Sequence, residues 1–329
     1  MSSTEIPSIA GPWVVAGSAP ARAALAPLLE ARRALQPVVE LAGGVEAFLA
    51  APARHLPAGT AAVLIVGPRR RSPARMLPGL FLPDSEGRRV PVGWLPDLGD
   101  GLAVYARAAA RVVARPRAIG PVVILGQWED RFLRVGLRTA RWFEKHDTAG
   151  VLAFHWTADR ILRMDMLAGL ADTAPGLALY YGHGRPRGWA GYHGVRLEHF
   201  EDPWPEPIGA LLALCCENAS RLRTGMSFAE ALALRGVFAG GLAAVRPTLH
   251  EHNRRLGPDL CEALTAQPVA TLAELVLALP PADWARTPYR FIGDPAAPLA
   301  GASGAAERAA CVFAPAPDDP LPPWEELPA

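Results

Sequence analysis

Residues 177–184 read LALYYGHG and residues 208–216 read IGALLALCC. Each is a short apolar run that stops at a reactive side chain, His183 in the first and Cys216 in the second. Runs of this kind, bounded by glycine or polar sequence, are the pattern of strands buried on both faces of a parallel sheet. They recur as WVVAG (13–17), AAVLIVG (61–67), PVVILG (121–126), GVLAFHW (150–156) and LAAVRP (242–247). Amphipathic stretches at 20–35, 101–115, 130–145, 158–172 and 227–239 read as helices between them. Asp100 is placed to cap the second of these, which stops before Pro116, and Ser227 with Glu230 and Thr271 with Glu274 fit capping boxes. The alternation predicts an α/β fold with helices packed on a mostly parallel sheet.

With 329 residues, half of them apolar and 20% charged, the chain has material for about two domain-sized cores. The formal net charge of +1 gives no broad field to draw in nucleic acid or an anionic membrane, so neither is expected as a partner. No run approaches the ~20 apolar residues of a membrane span, and MSSTEIPSIAGPWVVAG lacks the pattern of an export signal. A soluble, cytoplasmic chain is the expectation. A division near EKHDTAG (144–150) gives an N-terminal α/β part at 1–146, a second part at 147–300 and a Pro-rich tail at 301–329. Both halves are able to contribute to one continuous sheet.

The four cysteines, Cys215, Cys216, Cys261 and Cys311, form no CxxC pair, and adjacent residues of a strand face opposite ways, which does not suit one zinc ion. His250 and His252 in HEH point apart at a helix start, and neither GxGxxG nor GxxxxGK[ST] occurs. No metal and no cofactor are expected.

Ligands of an open parallel sheet sit beyond the carboxyl ends of its strands. His183 and Cys216 then emerge on one rim, where an imidazole can take the thiol proton and leave a nucleophilic thiolate. Gly184 turns the backbone and offers its N–H to a developing oxyanion, and Gly182 leaves room for a substrate chain. A turn histidine and a core cysteine explain the same residues. Periodicity says that one of Cys215 and Cys216 is core, without saying which.

LALYYGHG followed by ALLALCCENA resembles the His and Cys motifs of caspase-like cysteine peptidases, especially the gingipain family and the separase-related CHAT proteases. AAVLIVG followed by RRVPVGWLPDLGDGLAVYARAAARVV is similar to the gingipain pattern of a strand, a vPvGRlP segment and a helix. GMSFAEALALRGVFAGGLAAVRPT resembles the segment after the nucleophile, and FIGDPAAPL (291–299) the closing GDP element. The likeness covers residues 60–300, roughly, and implies a caspase-like three-layer α/β/α fold with two sheet-bearing subdomains. It implies that Cys216, last in its run as in the ACETG of CHAT proteases, is the nucleophile. It further implies a His183–Cys216 dyad with no third residue required, and an oxyanion hole made by the N–H groups of Gly184 and Cys216. Two positions depart from the pattern: Ala219 replaces the glycine of the turn, and Trp94 replaces an arginine.

The resemblance implies a cysteine endopeptidase acting on a protein or peptide substrate through an acyl-enzyme, in a regulated defence or signalling setting that admits a regulatory protein partner. The alternative is a catalytically silent scaffold that binds a partner. Of the acidic residues Glu198, Glu201, Asp202 and Glu206, those at 201–206 are expected at the opposite rim, in a solvated crossover. Residues expected near the site are Trp156, Asp159, 185–189, Glu217 and 246–252. Among them the substrate-binding candidates are Asp159, to receive a basic side chain, Trp189, to wall a pocket, and Glu217. Arg185, Arg187 and Arg246 leave an acidic preference open.

Overall fold

The computed structural model describes residues 11–116, 119–146, 151–266, 269–279 and 287–312. Its strands are β1 (Trp13–Ala16), β2 (Val38–Leu41), β3 (Ala62–Gly67), β4 (Phe81–Pro83), β5 (Arg89–Pro96), β6 (Val122–Gly126), β7 (Ala153–Thr157), β8 (Leu177–Tyr181), β9 (Gly184–Arg185), β10 (Gly188–Trp189), β11 (Val195–Arg196), β12 (Ile208–Leu214), β13 (Phe238–Ala244) and β14 (Tyr289–Gly293). Its helices are α1 (Ala19–Ala24), α2 (Ala26–Arg33), α3 (Val45–Ala50), α4 (Pro73–Met76), α5 (Gly99–Val113), α6 (Asp130–His146), α7 (Arg163–Thr173), α8 (Phe228–Leu234), α9 (His250–Ala266), α10 (Leu272–Ala278) and α11 (Ala305–Val312). None of the described helices is long and apolar enough to cross a membrane.

One sheet runs in the order β2-β1-β3-β5-β14-β13-β12-β8-β6-β7, with β4 added to β5. Only the β13–β14 and β4–β5 pairings in it are antiparallel. The sheet is continuous across the two sequence halves: β5 pairs with β14, and β6 lies between β7 and β8.

Alternate residues of each strand feed opposite helix layers, as a pleated strand requires. Ala178, Tyr180, Leu211, Ala213 and Cys215 join α2, α5, α7 and α8 on one face, while Leu177, Leu179, Tyr181, Leu212 and Leu214 join α6, α9 and α10 on the other. This is a three-layer α/β/α arrangement. The closing GDP element supplies Asp294, which is fully buried and binds Arg32 through Nε at 3.0 Å and through Nη2. Asp294 also accepts from Trp13 Nε1 at 2.9 Å, and its own N–H donates to the Tyr105 hydroxyl at 2.7 Å. One residue thus joins β1 and α2, through its carboxylate, and α5, through its N–H, to the end of β14.

Several boundaries differ from the sequence reading. The helix expected at 227–239 ends at Leu234, and the strand expected from 242 begins at Phe238. Gly240 and Gly241 remove the apolar signal from the first half of that strand, which is nevertheless wholly buried. The helix expected at 20–35 is divided at Leu25, and the one expected at 158–172 begins at Arg163. Within the expected tail, residues 305–312 form α11, packed on α7; residues 313–329 lie outside the described residues, as do 147–150 of the expected boundary.

Candidate active site

Strands β8 and β12 are parallel neighbours, with Tyr181 opposite Leu214. His183 and Cys216 each follow two residues later, so both leave the sheet at one rim from strands about 4.8 Å apart. The last pleat separates the two cysteines. Cys215 is 1% exposed and belongs to the core, whereas Cys216 is half-buried. Burial, with Cys216 adding to it, pushes the Cys215 thiol well above the usual thiol range.

The His183 side chain is 49% exposed and sits edge-on to Phe132, with ring centroids 5.2 Å apart. Its Nε2 accepts from Arg131 Nη2 at 2.6 Å and lies 3.4 Å from Glu129 Oε2. Glu129 in turn forms an ion pair with Arg131 at 2.7 Å. The His183 N–H donates to Gln127 Oε1 at 2.8 Å. The residues that follow β6 therefore surround the imidazole, although nothing in 127–131 marks them as partners in sequence.

Cys216 Sγ receives the Thr248 N–H at 3.3 Å and lies 3.5 Å from Thr248 Oγ1. Asn253 Nδ2 donates to that same hydroxyl at 3.1 Å and to Leu214 O at 3.0 Å, fixing the loop after β13 against the end of β12. Cys216 Sγ and His183 share the rim, but no hydrogen bond joins them.

Both glycines beside His183 are explained by close approach. A Cβ on Gly184 would overlap the Cys216 carbonyl oxygen and stand 2.5 Å from Cys215 Sγ. A Cβ on Gly182 would overlap the Tyr180 hydroxyl, so Gly182 makes room for Tyr180 and not for a substrate chain. The hairpin β9–β10 pairs Gly184 with Trp189, while the adjacent His183–Ala190 pair is the bonded one, with Ala190 N donating to His183 O at 2.9 Å. Successive antiparallel pairs alternate between bonded and non-bonded, which turns the Gly184 N–H away from its hairpin partner. The Cys216 N–H makes no hydrogen bond among the described residues.

Asn218, which the sequence reading did not single out, connects the two halves of the site. It is 1% exposed, and its Oδ1 accepts from Trp189 Nε1 at 2.6 Å and from Cys215 Sγ at 3.1 Å. Its Nδ2 donates to Arg185 O at 2.9 Å and Gly188 O at 3.1 Å. The turn after Cys216 is thereby fastened to the hairpin after His183.

The remaining expected residues are spread along the rim. Trp189 is 3% exposed and stacks on Tyr180 at 4.3 Å, which puts its ring beneath the hairpin. Asp159 follows the edge strand β7, two strand positions from β8, and lies 3.8 Å from Arg160. Glu217 is half-buried at a left-handed φ of 57°. His250 is half-buried with its ring 5.6 Å from that of Phe132, and His252 is exposed. Before β12, Glu206 pairs with Arg111 and the nearly buried Arg115, and Asp202 with Arg235, whereas Glu198 lies 3.8 Å from Arg196 of the hairpin that follows His183.

No family model matches the chain, and no curated protein matches it in sequence. Solved structures do match. The Arg-specific cysteine proteinase gingipain R aligns with a TM-score of 0.67 at 15% identity, covering 91% of this chain and 80% of that one. A second structure, described as a protease, aligns with a TM-score of 0.62 at 11% identity, covering 87% and 78%. The chain has the caspase-like α/β fold of such cysteine proteinases. At these identities the likeness shows the fold.

Proposed function

We propose that the protein is a cysteine endopeptidase in which Cys216 is the nucleophile and His183 the base. The observation that carries this reading is the placement of the two residues at matching positions beyond neighbouring parallel strands, with Cys215 sealed in the core and Cys216 open to the rim. The Cys216 thiol gives its proton to the imidazole, and the thiolate attacks a peptide carbonyl carbon to form a C–S bond. The N–H groups of Gly184 and Cys216, neither held by a backbone acceptor, receive the oxyanion. Collapse of this intermediate breaks the C–N bond, the imidazolium protonates the departing amine, and water then hydrolyses the thioester.

A second reading, a silent scaffold of the same fold, is favoured by one observation. In this structure the Cys216 sulfur is engaged by Thr248 and the His183 Nε2 by Arg131. Catalysis requires Arg131 to yield that nitrogen. A peptidyl acyloxymethyl ketone separates the readings: the peptidase labels on Cys216, and labelling is lost in both Cys216→Ala and His183→Ala. Absence of labelling and of peptide cleavage across a proteome-derived library overturns the peptidase reading.

A further inference from the structure

The hairpin that begins one residue after His183 continues into a feature the chemistry above does not use. Arg185, Arg187, His193 and Arg196, with residues 188–190 and 194–195, line an open groove of about 470 Å³. No carboxylate lines it. Arg185, Arg187 and His193 are exposed, and their side chains form no hydrogen bond or ion pair among the described residues. Arg196 has a distant partner, Glu198 at 3.8 Å, with both side chains largely exposed.

The groove is built rather than incidental. Tyr192 and His193 both hold left-handed backbone, at φ 55° and 58°, a conformation costly for residues with a Cβ and concentrated at functional sites. The strain is held from below by the Tyr192 hydroxyl, which donates to Trp156 O and accepts from Gly126 N at 3.3 Å. Arg163 Nη1 holds the next residue, donating to Gly194 O at 2.9 Å. The other wall is fixed by the Asn218 amide on Arg185 O and Gly188 O. The guanidinium groups are therefore presented from an anchored frame that is tied to the turn after Cys216.

We propose that this groove binds an acidic segment of a polypeptide substrate, close to the bond that is cut. The inference rests on the peptidase reading for its placement beside the scissile bond, but the groove's preference for carboxylates stands on its own lining. Planar guanidinium forks suit carboxylates in bidentate geometry. A polynucleotide fits less well, because its affinity grows with the number of phosphates neutralised along an extended basic track. Here the basic groups are confined to one hairpin and its neighbouring loop, on a chain with net charge +1.

The test uses the chain of residues 1–329 carrying Cys216→Ala and a fluorescent Glu/Asp-rich peptide, with an uncharged peptide of equal length as control. Anisotropy is expected to show tighter binding of the acidic peptide, weakened at higher salt. Arg185→Gln/Arg187→Gln is expected to lose about tenfold in affinity, corresponding to ~1.4 kcal/mol, while Arg185→Lys/Arg187→Lys retains most of it. Equal binding of the two peptides, acidic binding unchanged by the double Gln variant, or tighter binding of single-stranded DNA through the same arginines overturns the proposal. Cleavage-site profiling of the unmodified enzyme should show acidic residues enriched near the cut, with the acidic-to-neutral ratio falling about tenfold in the Gln variant by the same free-energy relation. Arginine-dependent binding of the acidic peptide by a chain that cleaves nothing would keep the groove and defeat the peptidase reading.

Discussion

Asn218→Asp is the sharpest test of how the site is held together. The change keeps the size of the side chain and the acceptor for Trp189 Nε1, but replaces the Nδ2 donor with an oxygen facing Arg185 O and Gly188 O. Two carbonyls lose their donor and meet a like-charged atom instead, at a residue 1% exposed. Each buried polar group left without a partner costs about 1–3 kcal/mol, so a loss of about 3 kcal/mol is a conservative sum before the buried charge is counted. With an unfolding entropy of about 2.1 cal/mol/K per residue, this lowers the melting temperature of a 329-residue chain by about 4 °C. Asn218→Ala, which leaves the same two carbonyls and the buried indole N–H unpaired but sets no charge against them, should fall between Asp and the unmodified chain. The assay is paired: a thermal melt, and the rate of Cys216 labelling by the ketone probe. Labelling should fall at least tenfold at a temperature where Asn218→Asp is still folded, because the hairpin that carries Gly184 is no longer fastened to the turn after Cys216. A melt within 1 °C of the unmodified protein, with labelling unchanged, would refute the bridging role.

Three further outcomes follow from burial. Iodoacetamide applied to the folded chain at pH 8 should modify residue 216 well before residue 215, since the Cys215 thiol is sealed and held protonated; peptide mapping that finds the two equally modified contradicts the assignment of faces. Burial, reinforced by Arg160, pushes the His155 imidazole down to about 4 from 6.5, and its Nε2 has no hydrogen-bond partner among the described residues. The unfolded chain then binds the extra proton first, so stability should fall as pH drops from 6.5 towards 4. The loss is about 2 kcal/mol between pH 7 and pH 5, and His155→Leu should flatten this slope in denaturant melts at the two pH values. Asp294→Asn leaves the buried Arg32 uncompensated and should cost about 3–5 kcal/mol. Arg32→Met/Asp294→Asn should cost less than the two single changes combined, and strict additivity in urea melts would show that the pair is not coupled.

What could be read from the sequence divides along physical lines. Strands β8 and β12 were legible because both faces are buried and the apolar run is unbroken, and the rim they share follows from parallel pairing. The capping boxes at Ser227–Glu230 and Thr271–Glu274 were legible because they are local, and both form. Strand β13 was displaced because two of its residues carry no side chain to betray burial. Asn218 was missed because its partners at 185, 188 and 189 are some thirty residues away and are brought to it only by the crossover. The same holds for Trp94. Its indole N–H donates to the buried Glu230 carboxylate at 3.0 Å across 136 residues, and its ring fills the space left by Gly67. At this departure from the gingipain-like pattern the bulky indole is accommodated because Gly67 carries no side chain.

The absence of glycine from the turn after Cys216 has a similar resolution. In that turn the residue in left-handed backbone is Glu217, at φ 57°, directly after Cys216. Ala219 is fully buried and donates its N–H to Ala244 O at 2.8 Å, which ties the turn to β13 without calling for special backbone. A left-handed non-glycine residue costs on the order of 1–3 kcal/mol and persists only where its surroundings over-determine it. They do so here from both sides, through the four hydrogen bonds of Asn218 and through the Ala219–Ala244 bond. Strain at 217 takes the chain out of the pleat at the residue where Cys216 must leave the sheet. The backbone that positions the sulfur is thus set by a buried amide, and glycine at 219 is not needed to form it.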